Sequence, residues 1–189
     1  GDDLARLETS PHLEGFRARG VEVLLLTDPI DSFWVMTGAS FDGKPFKSVT
    51  QGSADLALIP LLDPDKAPSP VTDQSVTDLM TFIREALGDA VSDVRPSDRL
   101  TDSVACLVAA EEGPDRQLEK LLAGAGRLKA GAKPILEVNA EHALVKRLDG
   151  SERFDDLAQI LFDQAVLAEG GQLDDPAAYV RRVNALLTA

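Results

Sequence analysis

The sequence has little of several residue types that specialised functions require. Among 189 residues there is one cysteine, Cys106, and two histidines, so no internal disulfide can form, which fits a reducing cytosol. Acidic residues outnumber basic ones, 32 against 19, for a net charge of −13. Nucleic-acid binding needs a basic face, so we expect no such partner. No signal peptide is visible, and no apolar run approaches the roughly 18 residues of a membrane span. We therefore expect a cytoplasmic protein with no membrane partner.

Sequence signals of catalysis are equally scarce. His12 and His142 lie far apart and lack a Cys or His at metal-ligand spacing. Cys106 stands among apolar residues, which predicts a buried, inert thiol. No GxxxxGK[ST] phosphate loop occurs. We predict no catalytic residue, no metal site and no cofactor in this chain. One alternative stays open, an α/β enzyme domain completed upstream in which Asp28 serves as a carboxylate ligand.

Residues 1–52 have the pattern of a β-α-β unit. The apolar run Val21–Leu26 predicts a buried parallel strand. Thr27 or Asp28 then caps a helix over Ile30–Met36, and Phe46–Thr50 alternates like a second strand. Two strands are too few for a stable domain. We therefore expect the end of a larger α/β domain, in a chain that begins without Met and is a fragment of a longer protein.

A proline-rich stretch over 53–70 predicts a linker, and a second domain follows over 71–189. Its helix after Val71 carries an apolar stripe that ends near Gly88. Three short apolar runs predict strands, over Val91–Arg95, Val104–Ala109 and Ile135–Val138. The fold class is α/β (α+β), with a mixed three-stranded sheet and helices.

The last forty residues predict a helical hairpin. Phe154–Ala168 is apolar over more than half its circumference, so we expect burial on more than one side. Asp175 and Pro176 are typical of the cap and first position of a second helix. A hairpin this apolar favours a homodimer held by a four-helix bundle. A hairpin folded onto its own domain is the alternative. The predicted interface is Leu161, Ala165, Leu167, Tyr179, Val180, Val183, Leu186 and Leu187.

Two further apolar sets could contact other proteins. Leu118, Leu121 and Leu122 share one helical stripe after Gly113-Pro114, although an ordinary helix docked on the sheet has the same pattern. Phe33, Trp34 and Met36 form the second set, which could equally pack beneath the first unit. Methionine and aromatic side chains can repack against many sequences.

Several long segments resemble the bacterial ninety-kilodalton heat-shock chaperone family. They are SPHLEGFRARGVEVLLLTDPID, FDGKPFKSV, DVRPSDRLTDS, LEVNAEHALVKRL and LFDQAVLAEGGQLDDPAAYVRRVNALL. The resemblance implies the end of a middle domain and a C-terminal dimerisation domain of an ATP-dependent chaperone. It implies that ATP and Mg²⁺ bind in parts of the parent upstream, so this fragment is expected to have no ATPase activity.

The resemblance also implies partners. Clients, meaning unfolded or partly folded proteins, would bind near Phe33 and along the leucine helix. The chain ends Leu187-Thr188-Ala189 and lacks the acidic MEEVD tail that recruits tetratricopeptide co-chaperones, so we expect none of these. A dimeric scaffold that binds no client is the remaining alternative.

Overall fold

The computed structural model describes residues 3–28, 30–38, 40–52, 56–63, 74–110, 116, 118 and 132–188. The predicted mixture of helix and strand is confirmed. The α-helices and strands are, in chain order, α1 (Leu4–Glu8), α2 (Glu14–Arg17), α3 (Asp31–Met36), β1 (Ser40–Phe41), β2 (Lys44–Pro45), α4 (Gln74–Leu87), β3 (Asp93–Pro96), β4 (Ala105–Val108), β5 (Ile135–Val138), α5 (Ala143–Lys146), α6 (Phe154–Ala168) and α7 (Pro176–Leu187).

The predicted first strand is wrong. Residues 21–27 belong to no strand, and Leu24 is 65% exposed. A strand needs a hydrogen-bonded neighbour, and the part of the chain that the structure describes places no strand beside this run. Its apolar side chains instead line a cavity of about 340 Å³, together with Phe16 and Phe46.

The predicted helix of the first unit is confirmed, but the second strand is wrong. Helix α3 covers Asp31–Met36, and the Asp28 carboxylate accepts a 3.0 Å hydrogen bond from Ile30 N at its entrance. Residues 46–50 form no strand. Pairing occurs earlier, where β1 and β2 make an antiparallel hairpin. Asp42 and Gly43 both have positive φ, at 50° and 73°, as a two-residue type I′ turn requires.

The three strands predicted for the second unit are confirmed. They form one sheet in the order β3-β5-β4, with β5 parallel to β3 and antiparallel to β4. Val94, Leu107 and Leu136 are buried in it. The sheet is therefore a mixed one, with its central strand last in sequence.

Two helices cover this sheet. Met80, Ile83 and Leu87 of α4 share one buried face, and the helix ends at Leu87, just before Gly88 with φ +51°. Helix α6 buries a second set against α4 and β4, as the all-round apolar pattern predicts: Leu157, Ala158, Ile160, Leu161 and Ala165. Most of these side chains belong to the main hydrophobic core of the described residues, and a second, smaller cluster is formed by Leu100, Cys106 and Val108.

The hairpin of α6 and α7 is present, with the predicted cap. The Asp175 carboxylate accepts a 2.8 Å hydrogen bond from Ala178 N, and Pro176 is the first helical residue. Arg182 of α7 reaches back to Asp156 and Asp163 of α6, at 3.5 and 3.6 Å. These ion pairs and Leu186, which packs against the core, hold α7 on α6.

The division into domains at 1–52, 53–70 and 71–189 stays a prediction. Within the predicted linker the structure describes residues 56–63, where Leu56 is fully buried and a short 3₁₀ turn covers Leu56–Leu58. Of the helices described, none is long and apolar enough to cross a membrane.

Candidate interaction surfaces and the junction between the units

The first candidate site is the aromatic surface, formed by Phe33 and Trp34 on α3. Their exposed fractions are 49% and 44%. The Trp34 ring packs against Phe46 with ring centroids 5.2 Å apart and planes tilted by 48°. Trp34 thus ties α3 to the segment after β2, while Phe33 presents its ring to solvent. Met36 ends α3, and its side chain lies outside the described residues.

The predicted leucine helix is described only at Arg116 and Leu118, which are both helical. Leu118 is 2% exposed, and Arg116 forms a 3.0 Å ion pair with Glu169 at the end of α6. In this conformation Leu118 belongs to the chain's own interior and offers no surface to another protein. Leu121 and Leu122 lie outside the described residues.

The structure divides the predicted dimer interface into two sets. Leu161 and Ala165 are 0% and 1% exposed, because they pack against the sheet of their own chain. Three others point away from it and form what we call the hairpin face: Leu167, Val180 and Leu187, exposed by 44%, 53% and 78%. Tyr179, Val183 and Leu186 are half-buried between the two sets.

The helical period explains this division. Val180 and Leu187 are seven residues apart and therefore lie on one side of α7, whereas Leu186 points toward α6. No residue of α7 is fully buried. Helix α7 thus carries an apolar stripe although none of its residues is buried. This pattern is typical of a surface that another helix or another protein covers.

A buried ionic network joins the two units. The Arg99 side chain is fully buried and donates to Glu137 Oε2 at 2.7 Å and to Gly52 O at 2.8 Å. It also donates to Val49 O. Arg95 donates to the other oxygen of Glu137, at 2.8 Å. A charge this deeply buried persists only when its hydrogen bonds are satisfied, so this network fixes residues 49–52 against the sheet.

A second contact between the units is made by Glu14 of α2. Its carboxylate accepts hydrogen bonds from the backbone N–H groups of Thr101, Asp102 and Ser103, at 2.7, 2.9 and 3.1 Å, and from the Ser103 hydroxyl. Burial opposes ionisation, but these hydrogen bonds outweigh it and lower the pKa of Glu14. Beside it, Gly15 approaches the Arg99 backbone so closely that a Cβ would lie 2.7 Å away.

The four residues considered for chemistry are Cys106, Asp28, His12 and His142. Cys106 is buried as predicted, and burial, followed by the Glu137 charge, raises the pKa of its thiol well above the usual value. Asp28 caps α3. His12 is buried, with Nε2 3.6 Å from Glu169 Oε1, and His142 caps α5 through Nδ1. Within the described ranges, no group of three His, Cys, Asp or Glu side chains could hold a metal.

Reasoning from the sequence missed the junction residues, although one signal was present. Glu137 lies inside the apolar run of β5. A carboxylate buried among apolar side chains is stable only when it is paired with a cation or hydrogen-bonded. That position predicts a buried cation. It does not identify Arg95 and Arg99, because these lie about forty residues away and only the strand pairing brings them alongside.

Comparison with known proteins identifies the family of this chain. The model of the family described as Hsp90 protein matches residues 1–189. The protein named "Chaperone protein HtpG" from Nitrobacter winogradskyi is 58% identical over 188 residues, which are 97% of this chain and 30% of that protein. Those of Mesorhizobium japonicum and Rhizobium meliloti are 55% and 54% identical, over 99% and 97% of this chain and 31% and 30% of theirs.

The chain thus spans about a third of the length of the curated relatives it matches. The match extends over both units of the structure, from α1 to α7. The family resemblance inferred from the sequence is confirmed, and the chain belongs to the Hsp90 family of chaperones, in its bacterial HtpG branch.

Proposed function

We propose that this chain holds two copies of a chaperone together and contributes part of the surface that contacts unfolded or partly folded proteins. The observation that carries the proposal is the hairpin face, which exposes Leu167, Val180 and Leu187 on a hairpin otherwise fixed to the core. A second copy covers such a face by two-fold symmetry, since the same patch is self-complementary. The two hairpins then form a four-helix bundle.

The apolar area gives the size of the effect. Fully burying a Val or Leu side chain contributes about 1.5–3 kcal/mol. Val180 and Leu187 are exposed by 53% and 78%, so each contributes about 1–2 kcal/mol on dimerisation. Two copies of both side chains supply about 6 kcal/mol, a substantial share of the free energy of a micromolar dimer.

Charged substitutions on this face test the dimer. Val180→Asp with Leu187→Asp buries two carboxylates per copy, so we expect light scattering at micromolar concentration to return a monomer mass. Leu24→Asp with Leu58→Asp is the matched control, because both leucines are exposed, by 65% and 85%, and lie outside the hairpin. The dimer proposal fails if the hairpin variant keeps the mass of the unmodified chain, or if both variants lose it.

For client binding, the aromatic surface is the accessible candidate. Phe33 exposes half of its side chain and takes part in no aromatic contact within the described residues, whereas Trp34 is anchored on Phe46. A rigidly held ring next to a solvent-exposed one can bury apolar area against many sequences at low entropic cost. We therefore assign the first contact to Phe33, and we propose Trp34 and, from the sequence, Met36 as further contacts.

The leucine helix stays a second proposed contact. Leu118 is buried here, so contact through this residue requires the helix to leave its place against Glu169. Leu121 and Leu122 are proposed on the sequence pattern and on the family resemblance. Together with the aromatic surface, they would give clients two apolar sites in one protein.

An aggregation assay tests the client role. Heated citrate synthase aggregates, and we expect the chain to suppress its light scattering. Phe33→Ser should weaken that suppression several-fold, and Leu121→Ser with Leu122→Ser should do the same if the leucine helix contributes. Leu58→Ser is the control, since it removes an apolar group elsewhere that is even more exposed, at 85% against 49% for Phe33. Equal suppression by the Phe33 variant and the unmodified chain would leave a dimeric scaffold as the better account.

The remaining parts of the proposal concern the longer protein. ATP and Mg²⁺ are proposed to bind in segments of the relatives that this chain does not span, so purified chain should hydrolyse no ATP. If the hairpin joins two copies, it also holds their two ATP-binding segments close together. This raises the effective concentration of each segment for the other, so that their association becomes intramolecular. We propose a cytoplasmic location for the whole assembly.

A further inference from the structure

The outer side of α4 carries an aromatic surface of its own. Met80, Ile83 and Leu87 point into the core, while Phe82 points outward and is 55% exposed. Its ring meets Phe154, at the start of α6, edge to face with centroids 6.5 Å apart and planes at 89°. With Ala86 the two rings line an open depression of about 540 Å³. We call this the α4 surface.

Two carboxylates line the same depression. Glu85 and Asp155 are both exposed, and neither has an ion-pair partner among the residues that the structure describes. Their neighbours in sequence differ in this respect, because Arg84 lies 4.0 Å from Asp93 and Asp156 lies 3.5 Å from Arg182. Arg84 is thus engaged by Asp93, and the two acids on the depression are exposed to solvent.

The charge and the rings together define the occupant. An aromatic face attracts a cation, and carboxylates at its edge add charge-assisted hydrogen bonds. An apolar side chain placed there would desolvate two carboxylates without pairing them, which is costly. A guanidinium suits the site best, because it is planar, stacks on rings and is more weakly hydrated than an ammonium.

We propose that the α4 surface docks an arginine side chain from a basic segment of a partner protein. Phe82 and Phe154 supply the face on which the guanidinium stacks, and Glu85 and Asp155 supply its acceptors. The overall net charge of −13 favours the approach of such a segment. The surface lies on α4 and the first turn of α6, so the proposal is independent of the hairpin face and of the aromatic surface on α3.

Fluorescence anisotropy with a labelled peptide tests this proposal. The probe carries three arginines separated by glycine and serine, and its matched partner carries citrulline, which keeps the shape and lacks the charge. We expect the citrulline peptide to bind at least tenfold more weakly. Phe82→Leu should weaken arginine-peptide binding about threefold, the size of an exposed cation–π contact. Glu85→Gln with Asp155→Asn should weaken it fivefold or more.

Glu22→Gln with Asp149→Asn is the control, because it removes the same charge from two exposed acids elsewhere, and it should change the affinity less than twofold. Equal loss in the control and site variants would show general attraction to an acidic protein and overturn the proposal. Equal binding of the citrulline and arginine peptides would also overturn it. So would a Phe82→Leu variant that keeps both its melting temperature and its affinity for the arginine peptide. A changed mass of the Phe82→Leu variant in light scattering would assign the surface to a second copy instead.

Discussion

Replacement of Arg99 by leucine tests the buried junction most severely. The side chain is fully buried, and its guanidinium donates to Glu137, to Gly52 O and to Val49 O. Leucine fills part of the space, removes the ion pair with Glu137 Oε2 and leaves Val49 O without the Arg99 donor. Gly52 O keeps a 3.1 Å hydrogen bond from Arg95, and Glu137 Oε2 keeps one of 3.1 Å from the Ser97 hydroxyl. Arg95 continues to pair with one Glu137 oxygen at 2.8 Å, so the carboxylate keeps half of its compensation.

The magnitude follows from the cost of breaking a buried pair. Removing one partner of such a pair destabilises proteins by about 3–5 kcal/mol, because the other charge stays buried. For a chain of this length 1 kcal/mol shifts the melting temperature by about 2–4 °C. We therefore expect Arg99→Leu to lower the melting temperature by about 10 °C. Arg84→Leu is the control, since Arg84 is exposed and 4.0 Å from Asp93, and it should cost less than about 0.5 kcal/mol.

Urea unfolding followed by far-ultraviolet circular dichroism measures both variants. Adding Glu137→Leu to Arg99→Leu should recover part of the loss, because removing both partners of a buried pair is less costly than removing one. A loss below about 1 kcal/mol for Arg99→Leu would refute the reasoning. It would mean that residues 49–52 are held against the sheet by other contacts.

Two further predictions concern the junction and the core. Hydrogen bonds lower the pKa of Glu14 in the folded chain below its ordinary value of 4.5. The ionised Glu14 carboxylate therefore contributes its full stabilisation above pH 4.5, and this contribution is lost as the pH falls through the folded pKa. Glu14→Gln should therefore be less stable than the unmodified chain at pH 7 by about 1–3 kcal/mol, and the gap should close in urea unfolding below that pKa; a gap independent of pH would contradict the assignment. Leu161→Ala, at a fully buried site, should cost about 2–5 kcal/mol in the same assay, while Leu187→Ala should leave unfolding of the single chain nearly unchanged and act on dimerisation alone.

The second unit was largely predictable because its signals are local. The stripe of α4, the cap Asp175 and the short apolar strands each follow from residues within a few turns of one another. The first unit was not, since an apolar run such as Val21–Leu26 fits a strand or a cavity lining equally well. Its pattern does not say whether a neighbouring strand exists.

The candidate sites divide in the same way. For Phe33 and Trp34 the sequence left open a surface or a place beneath the first unit; the structure exposes both in part, at 49% and 44%, with Trp34 also packed on Phe46. Periodicity could not tell that Leu161 is buried and Leu187 exposed, because both lie on apolar helical stripes. Only the three-dimensional packing decides which stripe contacts the sheet. Arg99 and Glu137 are 38 residues apart, so their contact is a property of strand pairing rather than of any local pattern.

Sedimentation equilibrium of the unmodified chain tests the central claim, that the exposed hairpin face joins two copies. One chain has a mass of 20.2 kDa. We expect twice that mass at low micromolar concentration, because the apolar side chains of the hairpin face are then covered by those of a second copy. A mass of 20.2 kDa at every concentration up to tens of micromolar would contradict the account, since the hairpin face would then be left exposed to water.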